Sequence, residues 1–275
     1  MEEDMYKTIL LRVEGVERTA PAEELAVKIG LKFATHIKGL RIVPTIQSLH
    51  SIAEHHYLSY EIYEQIMKNQ AAEVVDDKKA FFKSLDVAGL QYEWIEEEGD
   101  FLKHLKQHAR SADLAIVSQG NNEMGDVMVD IPGFILDIGI PTLAVPLKSR
   151  EETFANNIFI AWDGGKESIR AIHAALPLLK AADKVTILAI AEEKKDEIVT
   201  ADICANLARH GVNITGMTSE LNYDIGAKIM EICLAHNADL IVSGAWAHMR
   251  LAELIYGGVT KTLFNNQEIP VLFTH

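Results

Sequence analysis

Short apolar runs recur along the chain. Between them lie longer stretches whose apolar positions repeat every three or four residues. Thr8 to Val13, ending at Glu14-Gly15, predicts a strand, and Pro21 then opens a helix with Leu25, Ile29 and Phe33 on one face. His36 to Pro44 reads as a second strand. Tyr57 to Leu85 reads as a long helical stretch interrupted once, with Tyr57, Tyr60 and Tyr63 at near-helical spacing as packing residues. Leu90 to Ile95 predicts a strand, Phe101 to Ala109 a helix, and Leu114 to Val117 a strand. Val127 to Leu136 follows as a helix despite Pro132 and Gly133, and Thr142 to Val145 as a strand.

After Lys148-Ser-Arg-Glu-Glu the pattern begins again. Ile158 to Trp162 stops at Asp163-Gly164 as the first strand stops at Glu14-Gly15. Asp113-Leu-Ala-Ile-Val-Ser is answered by Asp239-Leu-Ile-Val-Ser, and Ile140-Pro-Thr-Leu by Ile269-Pro-Val-Leu. Three landmarks in one order indicate a duplicated domain, with copies expected over 1–148 and 155–275. Glu14 to Asp113 spans 113 − 14 = 99 positions and Asp163 to Asp239 spans 239 − 163 = 76, so the first copy carries 23 more. The surplus falls between its second and third strands, where the long helix is. Strands apolar enough to be covered on both faces, alternating with helices, predict two doubly wound α/β domains with parallel sheets. In such sheets a ligand sits at the carboxyl ends of the strands. That rule gathers Asp163, the strand end near Ala191, and Gly244 around one crevice.

The last 37 residues hold the densest signal. Leu240 to Val242 and Val271 to Thr274 read as buried strands, joined by a loop with Gly244 at its start, the pair Gly257-Gly258 near its end, and a helix through Val259, Leu263 and Phe264. A glycine pair before a helix lets an anion approach unpaired backbone N–H groups. It also simply permits a tight turn. This segment resembles the C-terminal signature of the universal stress protein family: Gly, two residues, Gly, nine residues, then Gly followed by Ser or Thr. Gly244 and Gly257 fit the first and third glycines, Ala247 stands at the second, Gly258 replaces the hydroxyl residue, and Val259-Thr260 continues the pattern.

The resemblance covers the chain as two copies. It implies Rossmann-like domains of the adenine nucleotide alpha hydrolase type with strand order 3-2-1-4-5. It also implies ATP or a related adenine nucleotide, with Mg²⁺, as ligand of the second copy. The residues it assigns to that ligand are Asp163, Gly244, Ala247, Gly257, Gly258, Val259 and Thr260, Asp163 holding the nucleoside and Gly257 to Thr260 facing the phosphates. A methyl at Ala247 narrows the approach, and the missing hydroxyl at Gly258 removes a hydrogen bond of about 0.5–1.5 kcal/mol. Asp163 also suits an Asx-type turn leading into a helix near Lys166. In the first copy Gln119-Gly-Asn-Asn-Glu-Met-Gly-Asp has Gly120 and Gly125 at the wrong spacing, and Glu123 and Asp126 are unfavourable to a phosphate, so no nucleotide is expected there. The family pairs domains through their last strands, which implies an internal pseudo-dimer and allows a homodimer.

Composition narrows the function classes. The formal charge of −14 argues against nucleic-acid binding, which relies on Lys and Arg. No stretch approaches the roughly 20 apolar residues of a membrane span, and the acidic Met-Glu-Glu-Asp start is unlike a signal peptide, so a cytoplasmic protein is expected. Cys204 and Cys233 lie in apolar-periodic stretches without metal-like spacing and read as buried thiols. His50, His55 and His56 cluster near Glu54, but adjacent histidines point in different directions, so no metal is expected there. No P-loop, Gly-x-Ser-x-Gly elbow, His-Glu-x-x-His or Gly-x-Gly-x-x-Gly motif occurs, and no catalytic residue is assigned. Three readings stand: a stress-associated regulatory protein with an adenine-nucleotide site, a nucleotide-independent interaction scaffold, and a slow ATPase lacking an identifiable base.

Overall fold

The computed structural model describes residues 6–43, 45, 60–119, 131–148, 153–191, 195–220, 224–245, 258–266 and 268–275. The described residues fall into two compact units, within 6–134 and within 135–275.

In the first unit, strand β1 (Thr8–Val13) leads to helix α1 (Val16–Phe33), β2 (His36–Val43), helix α2 (Tyr60–Ala88), β3 (Tyr92–Glu98), helix α3 (Phe101–Ala109) and β4 (Leu114–Ser118). The sheet order is β3-β2-β1-β4 with every described pairing parallel. Ile9, Leu10, Leu11, Leu114 and Ile116 are fully buried, as central parallel strands require. Edge strand β3 is only half-buried.

Several elements differ from the sequence reading in extent. α1 begins at Val16, where Thr19 N donates to Gly15 O at 2.9 Å, so Pro21 stands inside the helix rather than opening it. β3 runs from Tyr92 to Glu98, displaced toward the glutamates. α2 is one helix of 29 residues without interruption from Tyr60, Tyr57 lying outside the described residues. It supplies the extra length found in the first copy. Among the residues of α2 whose side chains are described, Asp77, Phe81 and Leu85, four residues apart, are buried, whereas Ala71, Ala72, Val75 and Asp76 are exposed. Phe81 sits on Gly39 of β2, where a Cβ would come within 2.6 Å of the ring. Gly39 is therefore what lets the helix lie close to the sheet.

In the second unit the elements are β5 (Thr142–Val145), β6 (Asn157–Trp162), α5 (Lys166–Ala181), β7 (Lys184–Ala191), α6 (Lys195–Arg209), β8 (Ile214–Glu220), α7 (Ile225–Ala235), β9 (Leu240–Gly244), α8 (Gly258–Phe264) and β10 (Val271–Thr274). α4 (Ile131–Asp137) bridges the division, and 127–130 of the expected helix lie outside the described residues. The strand order β8-β7-β6-β9-β10 is 3-2-1-4-5 for this copy, with all pairings parallel. β5, the last strand of the first sequence copy, pairs antiparallel with β10 through Leu143↔Leu272. This pairing is why the compact units divide at 134/135, whereas the sequence copies were expected over 1–148 and 155–275.

The repeated Asp before the fourth strand has a physical basis. Asp113 Oδ2 accepts hydrogen bonds from the Lys7 and Thr8 amides at 2.8 and 2.9 Å. Asp239 does the same for Asn156 and Asn157, at 3.0 and 2.9 Å. In each copy one carboxylate ties the start of the first strand to the start of the fourth.

Candidate functional site

The second unit brings two of the expected residues to one end of its sheet. β6 and β9 are neighbours in register, Ala161 opposite Ser243, so Asp163, just after β6, and Gly244, the last residue of β9, lie at adjacent strand ends. Asp163 is exposed and its Oδ1 accepts from Gly165 N at 2.8 Å, the Asx turn anticipated as one of its two roles. Gly164, with φ of 75°, makes the reversal that glycine alone takes without strain. Gly165 then caps α5 without a side-chain hydrogen bond.

Gly244 has a specific steric neighbour. A Cβ there would lie 2.6 Å from Ser168 N and 2.7 Å from the Glu167 carbonyl carbon. The residue therefore permits the first turn of α5 to press on the end of β9, a packing reason that the glycine pattern does not reveal. Thr274 Oγ1 donates to Glu167 O at 3.3 Å and Ala245 N to Thr274 O at 2.8 Å, knitting β9, β10 and α5 together. Glu167 is buried, with Lys166 Nζ at 3.3 Å.

Gly258, Val259 and Thr260 form the start of α8, which packs on α7. Gly258 is exposed, a Cβ there meeting nothing within 4 Å among the described residues, and Thr260 is buried. Gly226 of α7 lets the two helices meet, since a Cβ there would strike Thr262 at 2.7 Å. Ala247 and Gly257 lie outside the described residues. The hydroxyls of Ser168 and Ser243 donate to the carbonyls of Gly165 and Gly244. Neither is aimed at a base. What the described residues offer at this end is an exposed carboxylate acceptor beside a helix N-terminus, an arrangement for holding a polar ligand.

The matching end of the first unit is built differently. Glu14 is buried, ion-paired with Arg12 and 3.7 Å from Arg18 Nε. Arg12 also stacks over Phe101 at 4.5 Å. Gly15 N donates to Asp77 Oδ2 at 3.1 Å, and the same oxygen lies 3.0 Å from Arg41 Nε. Glu73 stands 3.5 Å from Arg41. A carboxylate of α2 thus occupies the first-strand turn. Burial raises the Asp77 carboxyl above its ordinary range, although Arg41 and the Gly15 amide pull it down. A shallow hollow of about 320 Å³ opens beside it, lined by Gly15–Arg18, Glu73, Asp76 and Asp77.

Sequence reasoning marked Glu14 as the counterpart of Asp163 but passed over Arg12, Arg41 and Asp77. Arg12 and Arg41 each interrupt an apolar strand, which is the signal that would have marked them. It also passed over His104 and His108, one helical turn apart on α3. Both meet Glu97 of β3, at 3.3 and 2.8 Å. The His108 hydrogen bond, and then the charges of His104 and His108, hold the Glu97 carboxyl below its usual range. Among the described residues no group of three or more His, Cys, Asp or Glu is arranged to hold a metal ion. His50, His55, His56 and the stretch Gly120 to Asp126 lie outside them. Cys233 is buried, its thiol pushed up to about 12 by burial, and Cys204 is half-buried. Among the described residues no helix is long and apolar enough to cross a membrane.

No family model matches the sequence, and no curated protein does. Solved structures do match. A universal stress protein from Archaeoglobus fulgidus DSM 4304 superimposes with a TM-score of 0.73 at 16% identity, over 97% of this chain and 95% of that one. The chain has the universal stress protein fold. A putative universal stress protein from Pseudomonas aeruginosa UCBPP-PA14 matches with a TM-score of 0.60 at 15% identity, covering 98% and 93% of the two chains. A functionally unknown protein from Pseudomonas aeruginosa PAO1 matches with a TM-score of 0.60 at 14% identity, covering 98% and 92%. The universal stress protein fold extends along the whole chain in two copies, and the doubly wound α/β reading holds.

Proposed function

We propose that this chain is a tandem universal stress protein, a cytoplasmic stress-associated regulator whose second copy, expected over 155–275, takes ATP or a related adenine nucleotide with Mg²⁺. Asp163 accepts from the nucleoside, Gly244 keeps the strand end clear, and the segment of Ala247, Gly257, Gly258, Val259 and Thr260 faces the phosphates. The observation that carries this reading is the placement of Asp163 just after β6 and of Gly244 at the end of the neighbouring β9, at the end of the sheet where such folds bind ligands. The first copy, expected over 1–148, serves as its packing partner through the antiparallel pair of last strands, an internal pseudo-dimer. Calorimetric titration of ligand-free protein with ATP and Mg²⁺ tests it. Binding that weakens about tenfold or more in Asp163→Ala is expected. Absence of heat and of any thermal shift in the parent chain rejects the nucleotide.

A second reading, a nucleotide-independent interaction scaffold, draws on one observation in particular. Gly244 is accounted for by its contact with Glu167 and Ser168, without any ligand. Partner capture that survives Gly257→Asp favours that reading.

A further inference from the structure

Among the described strands, β3 of the first unit and β8 of the second stand at the ends of the sheet order, since β10 is already covered by β5. An edge strand carries a row of backbone N–H and C=O groups that a further strand can use, and folded chains blunt it with charge, proline or a bulge. β3 is blunted. Glu93, Glu96, Glu97 and Glu98 lie along it, so two copies meeting there would set carboxylate against carboxylate. β8 is not. Residues 211–219 hold no charged side chain and no proline, and an unbroken register from Val185↔Ile214 to Ala191↔Glu220 leaves no bulge.

The ladder fixes which groups face outward. Val185 N donates to Asn213 O at 2.8 Å, so in a parallel pair the residues of β8 that bond to β7 are Thr215, Met217 and Ser219. Ile214, Gly216, Thr218 and Glu220 turn their N–H and C=O groups away from β7, and the last three are exposed.

We propose that this edge is a self-association surface, on which β8 of a second copy adds antiparallel about a two-fold axis at Met217. That register sets Gly216 against Thr218 and Ile214 against Glu220, so all four outward residues exchange hydrogen bonds. A shifted register would leave Ile214 or Glu220 without its partner in the strand. Met217, half-buried in one copy, meets Met217 of the other at the close, non-hydrogen-bonded pair on the axis. Charge selects the occupant. Each chain has a formal charge of −14, and with a screening length of about 8 Å an uncharged border is what lets two copies close. A basic partner strand would find its counter-charges along β3 and none along β8 before Glu220. The last strands, β5 and β10, are engaged with each other, so whole chains need another edge to associate.

The experiment follows the full chain by sedimentation over a concentration series, with amide hydrogen exchange read at Gly216 and Thr218. No nucleotide enters, so the outcome is separate from that of ATP binding. The parent is expected to form a dimer and nothing larger, and both outward amides should exchange about tenfold slower in the dimer than in the dilute monomer. Met217→Glu and Met217→Lys each set like charges opposite one another on the axis. Each alone should weaken self-association about tenfold, and an equimolar mixture of the two should recover the dimer. Recovery requires residue 217 of one copy to face residue 217 of the other, which a merely weakened strand would not give. A parent that stays monomeric overturns the proposal, as does a dimer whose Gly216 and Thr218 amides are no slower, or one indifferent to both variants. Growth beyond a dimer points to β3 of one copy meeting β8 of the next and also overturns it. If neither variant folds, exchange at the two amides of the parent decides: rates independent of concentration overturn the proposal.

Discussion

The paired carboxylates Asp113 and Asp239 allow one molecule to serve as its own control. They do the same task in the two copies, each holding two amides at the entrance of a first strand. They differ in solvent access: Asp239 is 3% exposed, whereas Asp113 is exposed. A hydrogen bond to a charged acceptor contributes about 1.5–3 kcal/mol net, and a buried donor left without a partner costs about 1–3 kcal/mol. Asp239→Ala strands the Asn156 and Asn157 amides away from water, so about 3 kcal/mol is expected after relaxation. Asp113→Ala leaves the Lys7 and Thr8 amides where water can replace the carboxylate, and about 1 kcal/mol is expected. Urea unfolding gives the total. Amide exchange along β1 and β6 assigns the loss to its unit, which is needed because two units need not unfold together. If Asp113→Ala costs as much as Asp239→Ala, burial is not what sets the strength of this tie, and the reasoning fails.

Three further outcomes follow from single contacts. Gly244→Ala places a methyl against the Ser168 amide, where both neighbours are backbone, and should cost about 1–3 kcal/mol by urea unfolding; a loss under about 0.5 kcal/mol removes the packing role. Glu23 has its carboxyl raised by burial and by the charge of Asp77, against a Ser84 hydrogen bond. Its ionisation therefore opposes folding, and stability falls as pH climbs from the unfolded value through the raised folded one. Glu23→Gln should gain on the parent as pH passes upward through that window, and a pH-independent difference in urea midpoint contradicts it. Glu97 has the opposite sign: its lowered carboxyl favours the fold above the ordinary carboxylate range and loses that contribution as pH falls. His108→Ala should move the Glu97 titration upward in an NMR pH series, and an unmoved curve shows that the hydrogen bond does not set it.

Much of the architecture was legible because it rests on local, repeated signals. Apolar runs closed by Glu14-Gly15 and Asp163-Gly164 mark the first strands, and the duplicated Asp before the fourth strand marks the tie between strands. The 23 surplus positions mark where the long helix had to go. Boundaries were less legible. Pro21 resembles a helix start, yet α1 begins at Val16, since the Gly15 carbonyl already accepts from Thr19 N ahead of the proline. The candidate site was half legible: Asp163 and Gly244 were picked out, but Gly244 carries a contact with α5 that no spacing predicts.

The amino-acid pattern by itself determined the α/β alternation, the duplication and the acidic character, a formal charge of −14. Each of these is written in neighbouring residues or in the sum of charges. Tertiary structure alone decided which carboxylate meets which amide. Asp77 is 62 residues from Gly15 and reaches it only because Gly39 admits Phe81 and lets α2 settle on the sheet. Likewise β5 joins the second unit through its antiparallel pairing with β10, 272 − 143 = 129 positions away at Leu143↔Leu272. Periodicity specifies the face an element buries; the partner it buries that face against is set by distances that exist only once the chain has closed.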